Sequence, residues 1–561
     1  MSVKQGDPRW TARIDESKGA EDPLGMTRVT NRLLGDLLPG ITTISPRPRY
    51  IAHHLWALKD TDVNDNPRSR TELLEGLYDR ERILLLAGKY YAQSDDEKSH
   101  TGLVGSSTAG EILETDEDPI TLDFSFYSNK GGSYDQNYVG PMATMGLVNT
   151  PTGSAYEQPT ERGDPIADAY GELADEIGLR NLAQGEQISI DTLESIAPKL
   201  SPAAVSNPDS PDREPLRSLY LGRNPPEGYE EQAKTRRGTL TLLLHIAQLE
   251  GDTVPLTANS LVNACYFGSV VVDGDIIPAD IPSGLKDTAA RWKALRSHDY
   301  FSYALEAALT NWLSYLQRTD EADASLEEFK QLIRSGGTYQ LMADQIGVDT
   351  ITADTPLSYI VGSLWPAATE DSISNPHPLP DVPMGHPGSE YTLDNKLQTA
   401  ISNSHREMIH ATWPLLLLSL ALRYESPEGS DAMAWAWMQS HMQDDITPVR
   451  FRRHLKERLS EGISIGDFTE WVFDAYVINR ANEIAAGKAK GDSASRGYFE
   501  DTPTGWRYVR SHVPSHWGAR FDSAVSVCRD LALLNPNDSQ TDLTSAGKQL
   551  LAAAGEEKDN D

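Results

Sequence analysis

"PRPRYIAHHLWALKD", residues 46–60, is the stretch on which the reading of the fold turns. Ile51, Leu55 and Leu58 recur at three- and four-residue spacing, the period of an amphipathic helix. Pro46 and Pro48 fit only its first turn, where a missing N–H costs nothing. Ser45 or Arg47 lies just before the helix. His54 falls on the edge of the apolar stripe, and His53 groups with Tyr50 and Ala57. Arg47 and Arg49 stand at the N-terminal end, where each cation opposes the macrodipole at a cost of about 0.3–1 kcal/mol. Something negative is expected to offset them. It is either an outside phosphate or other anion, for which a helix start supplies free amides, or one of the chain's own carboxylates. Arg47, Arg49, His53 and His54 therefore form a first candidate anion-binding group.

The same period continues. Arg68 to Gln93 places Leu73, Leu77, Ile83, Ala87 and Tyr91 close to one stripe, and further helical stretches cover roughly 165–176, 229–249, 285–318, 325–333, 392–424, 431–442, 447–460 and 465–486. Strand signals are few. "ITLDFSFYS" alternates from Ile120 to Phe126, and "GSVVVDGDIIP" carries a β-branched run and an Asp273-Gly274 turn. The expected fold class is mainly α: a multi-domain helical protein with small β-hairpins and a C-terminal winged-helix-like unit. Pro- and Gly-rich runs at 202–231 and 366–390 read as linkers, and the tail from Gly555 is charged. The expected division is 1–201, a helical domain with a small Gly-rich insertion; 202–485, a central helical domain; and 486–561. No repeat at solenoid spacing is found.

The 561 residues carry 83 acids and 50 lysines and arginines, a net charge of −33. Such a surplus suits a protein kept soluble in concentrated salt, where the Debye length falls to roughly 3 Å at 1 M. A halophilic cytoplasm is the expectation, and an acidic mesophilic protein is the alternative. Cys265 and Cys528 are the only cysteines, too few for a disulfide scaffold or a cysteine-built zinc site, and both read as core residues. The N-terminal residues lack an apolar leader. The longest apolar run, "WPLLLLSLAL" from Trp413 to Leu422, is half the roughly 20 residues a bilayer demands. No membrane association is expected.

Catalytic motifs do not emerge. Gly547-Lys548 lacks the earlier glycine of a phosphate loop. "GSSTAG", Gly105 to Gly110, imitates a nucleophile elbow around Ser106 and Ser107 without the buried strand one requires. His405 and His410 lie five apart, about 140° around a helix, so they cannot share a metal. No catalytic residue, metal ligand or cofactor is assigned. The loop 129–148, "NKGGSYDQNYVGPMATMGLV", offers glycine backbone and tyrosine faces, for a ligand or for packing.

The C-terminal quarter is different. Between Arg450 and Arg529, 13 lysines and arginines face 10 acids, so this region alone is locally basic. "VRFRRHLKERL" concentrates Arg450, Arg452, Arg453, Lys456 and Arg458. "RGYFEDTPTGWRYVR" reads as a hairpin starting at Arg496, and "GARFDSAVSVCRDLALL" as a helix whose buried side includes Phe521, Ala524, Cys528 and Leu531. Residues 518–553, ending in "RDLALL" and "LTSAGKQLL", resemble the end of a winged-helix domain. More widely, "LLPGITTISPRPRYIAHHLWALKD", "GLVGSS", "YVGPMATMGLV" and "FTEWVFDAYVI" resemble an uncharacterised prokaryotic, haloarchaeal anti-phage-defence-associated family. That resemblance implies a role in host defence and carries no catalytic residues with it. The winged-helix resemblance implies that Arg520 and Ser523 would enter the DNA major groove, with Arg507, Arg510 and Arg496 on or beside phosphates. The leading expectation is a non-catalytic DNA-associated subunit of an antiviral defence complex, partnered by DNA and other subunits. A structural adaptor, or a cryptic nuclease or hydrolase built on His53, His54 and the 129–140 loop, are the alternatives.

Overall fold

Ile51, Leu55 and Leu58 all lie on the buried side of one helix, Pro48–Asn64. Pro48 occupies its first turn and Arg47 is the extended residue before it, with no side-chain capping bond. Fully burying each such aliphatic side chain stabilises by roughly 1.5–3 kcal/mol. The opposite face is buried too, because Arg70–Ser94 and Asp164–Glu176 both pack against this helix. The structure is a computed structural model. It describes residues 22–94, 102–115, 117–127, 131–223, 225, 227–251, 256–319, 323–334, 337–364, 384–423, 429–440, 446–489, 497–516, 518–536 and 541–556.

The protein is mainly α. Among the described residues, strands occur as four two-stranded antiparallel pairs. Two are the expected hairpins. Ser269–Val272 pairs with Asp275–Pro278, and Phe499–Thr502 pairs with Gly505–Tyr508. The "ITLDFSFYS" run forms only Ile120–Thr121, paired with Gln187–Ile188.

The chain divides into two compact units, each built from separated segments. The first takes its described residues from 1–31, 297–427 and 439–516, and the second from 32–296, 428–438 and 517–561. The expected boundaries after residues 201 and 485 fall inside these units. Residues 202–231 are not a linker in the described part. Pro202–Ser206 and Arg213–Tyr220 are short helices that bury Val205, Leu216, Leu219 and Tyr220. Most of the 366–390 run lies outside the described residues. The partition also separates the 499–508 hairpin, in the first unit, from helices Ala519–Asp530 and Ser545–Glu556, in the second.

In the first unit "WPLLLLSLAL" lies in the Arg406–Arg423 helix, apolar all round because neighbours cover it on several sides. Those neighbours are Glu390–Ser402, Gly337–Ile346, Leu357–Leu364 and Pro448–Ser460. Among the described residues no helix is long and apolar enough to cross a membrane. Cys265 and Cys528 are both buried.

Candidate functional site

Arg47 and Arg49 are fully buried. Arg47 Nη2 lies 2.9 Å from Asp530 Oδ1. Arg49 donates from Nε and Nη2 to the two oxygens of Asp212 at 3.0 and 2.8 Å, from Nη1 to the Lys199 and Ser201 carbonyls at 2.6 and 2.9 Å, and to Ser210 Oγ. Burial alone would raise the Asp212 carboxyl. The guanidinium beside it more than reverses that and holds it below the usual range. The offsetting charges at this helix start are therefore internal carboxylates, and burial closes both arginines to an outside anion.

His53 and His54 are equally enclosed. His53 Nδ1 and Tyr170 Oη are 3.0 Å apart, as are His54 Nε2 and Ser133 Oγ. Burial pushes His54 down to about 3, and burial together with His54 and Arg80 holds His53 well below the ordinary histidine range. Ser133 belongs to the 129–148 loop, so the structure does join that loop to His54. The Ser133 amide also donates to Glu81 Oε2 at 3.0 Å. This resembles a nucleophile–base pair in composition only. Ser133 and His54 are 0% exposed, and the acid bonds the serine amide rather than orienting the imidazole. The loop's tyrosines are core as well: Tyr138 stacks on Tyr50 at 5.1 Å and Tyr134 meets His54 edge-on at 5.5 Å.

The C-terminal candidates do not converge. Arg507 pairs with Asp323 at 3.1 Å and Glu500 at 3.8 Å, and the Arg510 guanidinium sits 4.1 Å over the Tyr498 ring. Both are in the first unit. Ser523 is buried in the second unit, so it cannot serve as an exposed base-reading residue. Arg520, also in the second unit, is half-buried in a cleft wall. Arg496 lies outside the described residues. "GSSTAG" forms a helix from Ser106 after turn residues, with no strand directly before it among the described residues.

The basic run noted in the sequence but not assigned as a site, "VRFRRHLKERL", lies in the Pro448–Ser460 helix of the first unit. Thr447 caps it, its Oγ1 accepting from the Arg450 amide at 3.0 Å. Phe451 and Leu455 anchor it, and Phe451 stacks on Trp471 at 5.9 Å. Their spacing turns Arg450 and Arg453 outward on one face, with Lys456 beside them, all exposed. Among the described residues Arg450 and Arg453 have no ion pair or hydrogen bond from their guanidinium groups. Arg458 lies over Trp471 at 5.6 Å and reaches Glu461 at 3.0 Å. The field here is positive. His454, whose Nδ1 is 2.6 Å from Tyr476 Oη, is lowered by burial and then by Arg450, with Glu457 opposing. The anchoring pair Phe451–Leu455 was the signal that could have found this face.

A second polar cluster in the first unit surrounds His512 and His516. His512 Nε2 lies 3.0 Å from Glu306 Oε2. His516 sits between Asp299, 2.7 Å from Nδ1, and Asp394, 3.0 Å from Nε2, and stacks on Tyr303 at 4.2 Å. Both His516 nitrogens are thus engaged by carboxylates. Among the described residues no group of three or more histidines, cysteines and acids is arranged to hold a metal ion.

The chain matches no protein-family model, no curated protein and no solved structure.

Proposed function

We propose that the protein is a non-catalytic, nucleic-acid-associated subunit that holds the phosphate backbone on its Pro448–Ser460 helix. One observation carries this reading: Arg450 and Arg453 stand exposed on one face without an ion pair among the described residues, in a chain of net charge −33. Carboxylates are abundant here, yet these two forks are left open. Planar guanidinium groups pair two oxygens at once, the geometry a phosphate offers. This moves the contact away from Arg507, Arg510 and Arg520, and it makes backbone grip rather than base reading the expected mode. A cytoplasmic antiviral defence complex is the setting we attach to it, on the strength of the sequence resemblance alone.

Fluorescence anisotropy with a labelled duplex over a KCl series tests the reading. Arg450→Ala/Arg453→Ala should weaken binding on every sequence alike. Its log–log salt slope should become shallower by about 1.8, at about 0.9 for each lost phosphate contact. Arg507→Ala/Arg510→Ala should leave the slope unchanged. Identical isotherms for wild type and the Arg450/Arg453 variant, or no binding by either, would sink the proposal.

A further inference from the structure

The second unit holds a cleft of about 530 Å³, within the range of small-molecule sites. Most charges in its walls are already matched. Glu231 Oε1 accepts from Arg291 Nη2 at 2.9 Å. Arg291 Nη1 donates to Thr235 Oγ1 at 3.2 Å, and its guanidinium lies 5.6 Å from the centre of the Trp437 ring. Trp437 Nε1 in turn donates to Asp36 Oδ2 at 3.0 Å. Arg520 is the exception. It is half-buried, lines the cleft, and makes no hydrogen bond or ion pair among the described residues. Its Nη1 lies over Gly35, at ordinary contact distance, 3.8 Å, from where a Cβ would stand. Burial lowers its guanidinium from the ordinary arginine range, with no carboxylate acting against the effect. A desolvated cation without a partner is costly, and an anion in the cleft would relieve that cost.

The rest of the wall suits an oxyanion. Gln232, in the first turn of the Glu230–Glu250 helix, lines the cleft and adds a side-chain amide donor; of the two carboxylates in that turn, Glu231 is tied to Arg291. Gly140 lines another side, and a Cβ there would meet no atom within 4 Å, so the backbone leaves room for a ligand. Arg520 and Gln232 line the cleft from two different helices, and a tetrahedral anion offers oxygens in more than one plane to such a pair. We propose that this cleft binds a small tetrahedral oxyanion, such as a phosphate monoester, with Arg520 as its anchor.

Titration calorimetry with inorganic phosphate, sulfate and acetate, against chloride at matched ionic strength, tests this. Phosphate and sulfate should bind saturably to wild type and to Arg450→Ala/Arg453→Ala, which keeps this site distinct from the Pro448–Ser460 surface. Arg520→Gln should weaken phosphate binding tenfold or more. Gly140→Leu should do the same by filling open space, without touching the charge. It decides the matter alone if Arg520→Gln fails to fold. Phosphate binding absent from wild type, unchanged in both cleft variants, or lost with Arg450 and Arg453 would overturn the proposal. Acetate binding as tight as phosphate would overturn the tetrahedral assignment.

Discussion

Glu81 is 1% exposed, with Oε2 on the Ser133 amide and Oε1 without a hydrogen-bond partner. Burial raises its carboxyl from 4.5 to about 7, against the Ser133 bonds that would lower it. The folded protein therefore keeps a proton that the unfolded chain gives up between those values. Stability from this group is full below pH 4.5 and is lost as pH climbs through 7. His54, lowered from 6.5 to about 3, works in the opposite sense: its contribution is lost as pH falls through that window. The two can be separated by comparing wild type with Glu81→Gln, which keeps an oxygen acceptor for the Ser133 amide. Denaturant unfolding should show the variant gaining about 3 kcal/mol on wild type between acid and mildly alkaline pH. Parallel pH curves would show that Glu81 does not carry the proton. Sequence reading picked out His53 and His54 but not Glu81. Histidines are scarce enough to notice, whereas Glu81 is one carboxylate among 83.

The helix expected over residues 392–424 is two helices, Glu390–Ser402 and Arg406–Arg423. The break is built by hydrogen bonds: the His405 amide reaches the Ala400 carbonyl at 2.8 Å, and the Ser404 amide reaches Ile401 at 3.0 Å. That is the paired closure of a Schellman motif, in which the residue after the cap adopts a left-handed conformation and is commonly glycine. Here it is Ser404, with φ of 53°. No glycine marked the turn, so the sequence read straight through it. Ser404 is exposed, and Ser404→Gly should raise stability by about 1 kcal/mol by removing the left-handed penalty. A lower thermal midpoint for the variant would show that the hydroxyl, not the backbone, sets the turn. The same contrast runs through the other elements. The 269–278 hairpin was legible because Asp273 and Gly274 both take positive φ, at 51° and 89°, as their residue types favour. "ITLDFSFYS" was misread because Phe126 stacks on Tyr78 at 4.4 Å and its amide donates to Tyr78 Oη. The 202–231 segment looked like a linker because the Arg49 contacts that hold Ser210 and Asp212 lie more than 160 residues away. Local chemistry announced helices and tight turns, while long-range partners decided the rest. The Pro448–Ser460 cations were visible as a cluster, but the face they share depends on which of Phe451, Leu455 and their neighbours the core takes.

Across the molecule, the arginines drawn inward are matched from inside. Arg47, Arg49, Arg80 and Arg236 are among the largest fully or nearly fully buried side chains. Arg80 pairs with Asp60 at 2.6 Å and Asp65 at 3.0 Å, and Arg423 grips the buried Glu390 at 2.7 Å. Arg236 is held by carbonyls instead, those of Leu219, Tyr220 and Pro39 at 2.7 to 3.0 Å. Asp60, Asp212 and Glu390 are buried with their arginines, so these pairs attract inside while the surplus of acids elsewhere repels through solvent. Salt treats these differently. Exposed charges farther apart than a Debye length are screened, and that length shrinks from about 10 Å at 0.1 M to about 3 Å at 1 M. Buried pairs are screened far less. Added KCl should therefore remove repulsion without dissolving the ion pairs beneath it. The unfolding midpoint followed by circular dichroism should rise steadily with KCl up to about 1 M, where screening is nearly complete, and flatten beyond it. Sucrose, which raises stability by exclusion rather than screening, should give no such plateau. A midpoint indifferent to KCl would mean that the surplus acids do not strain the folded state.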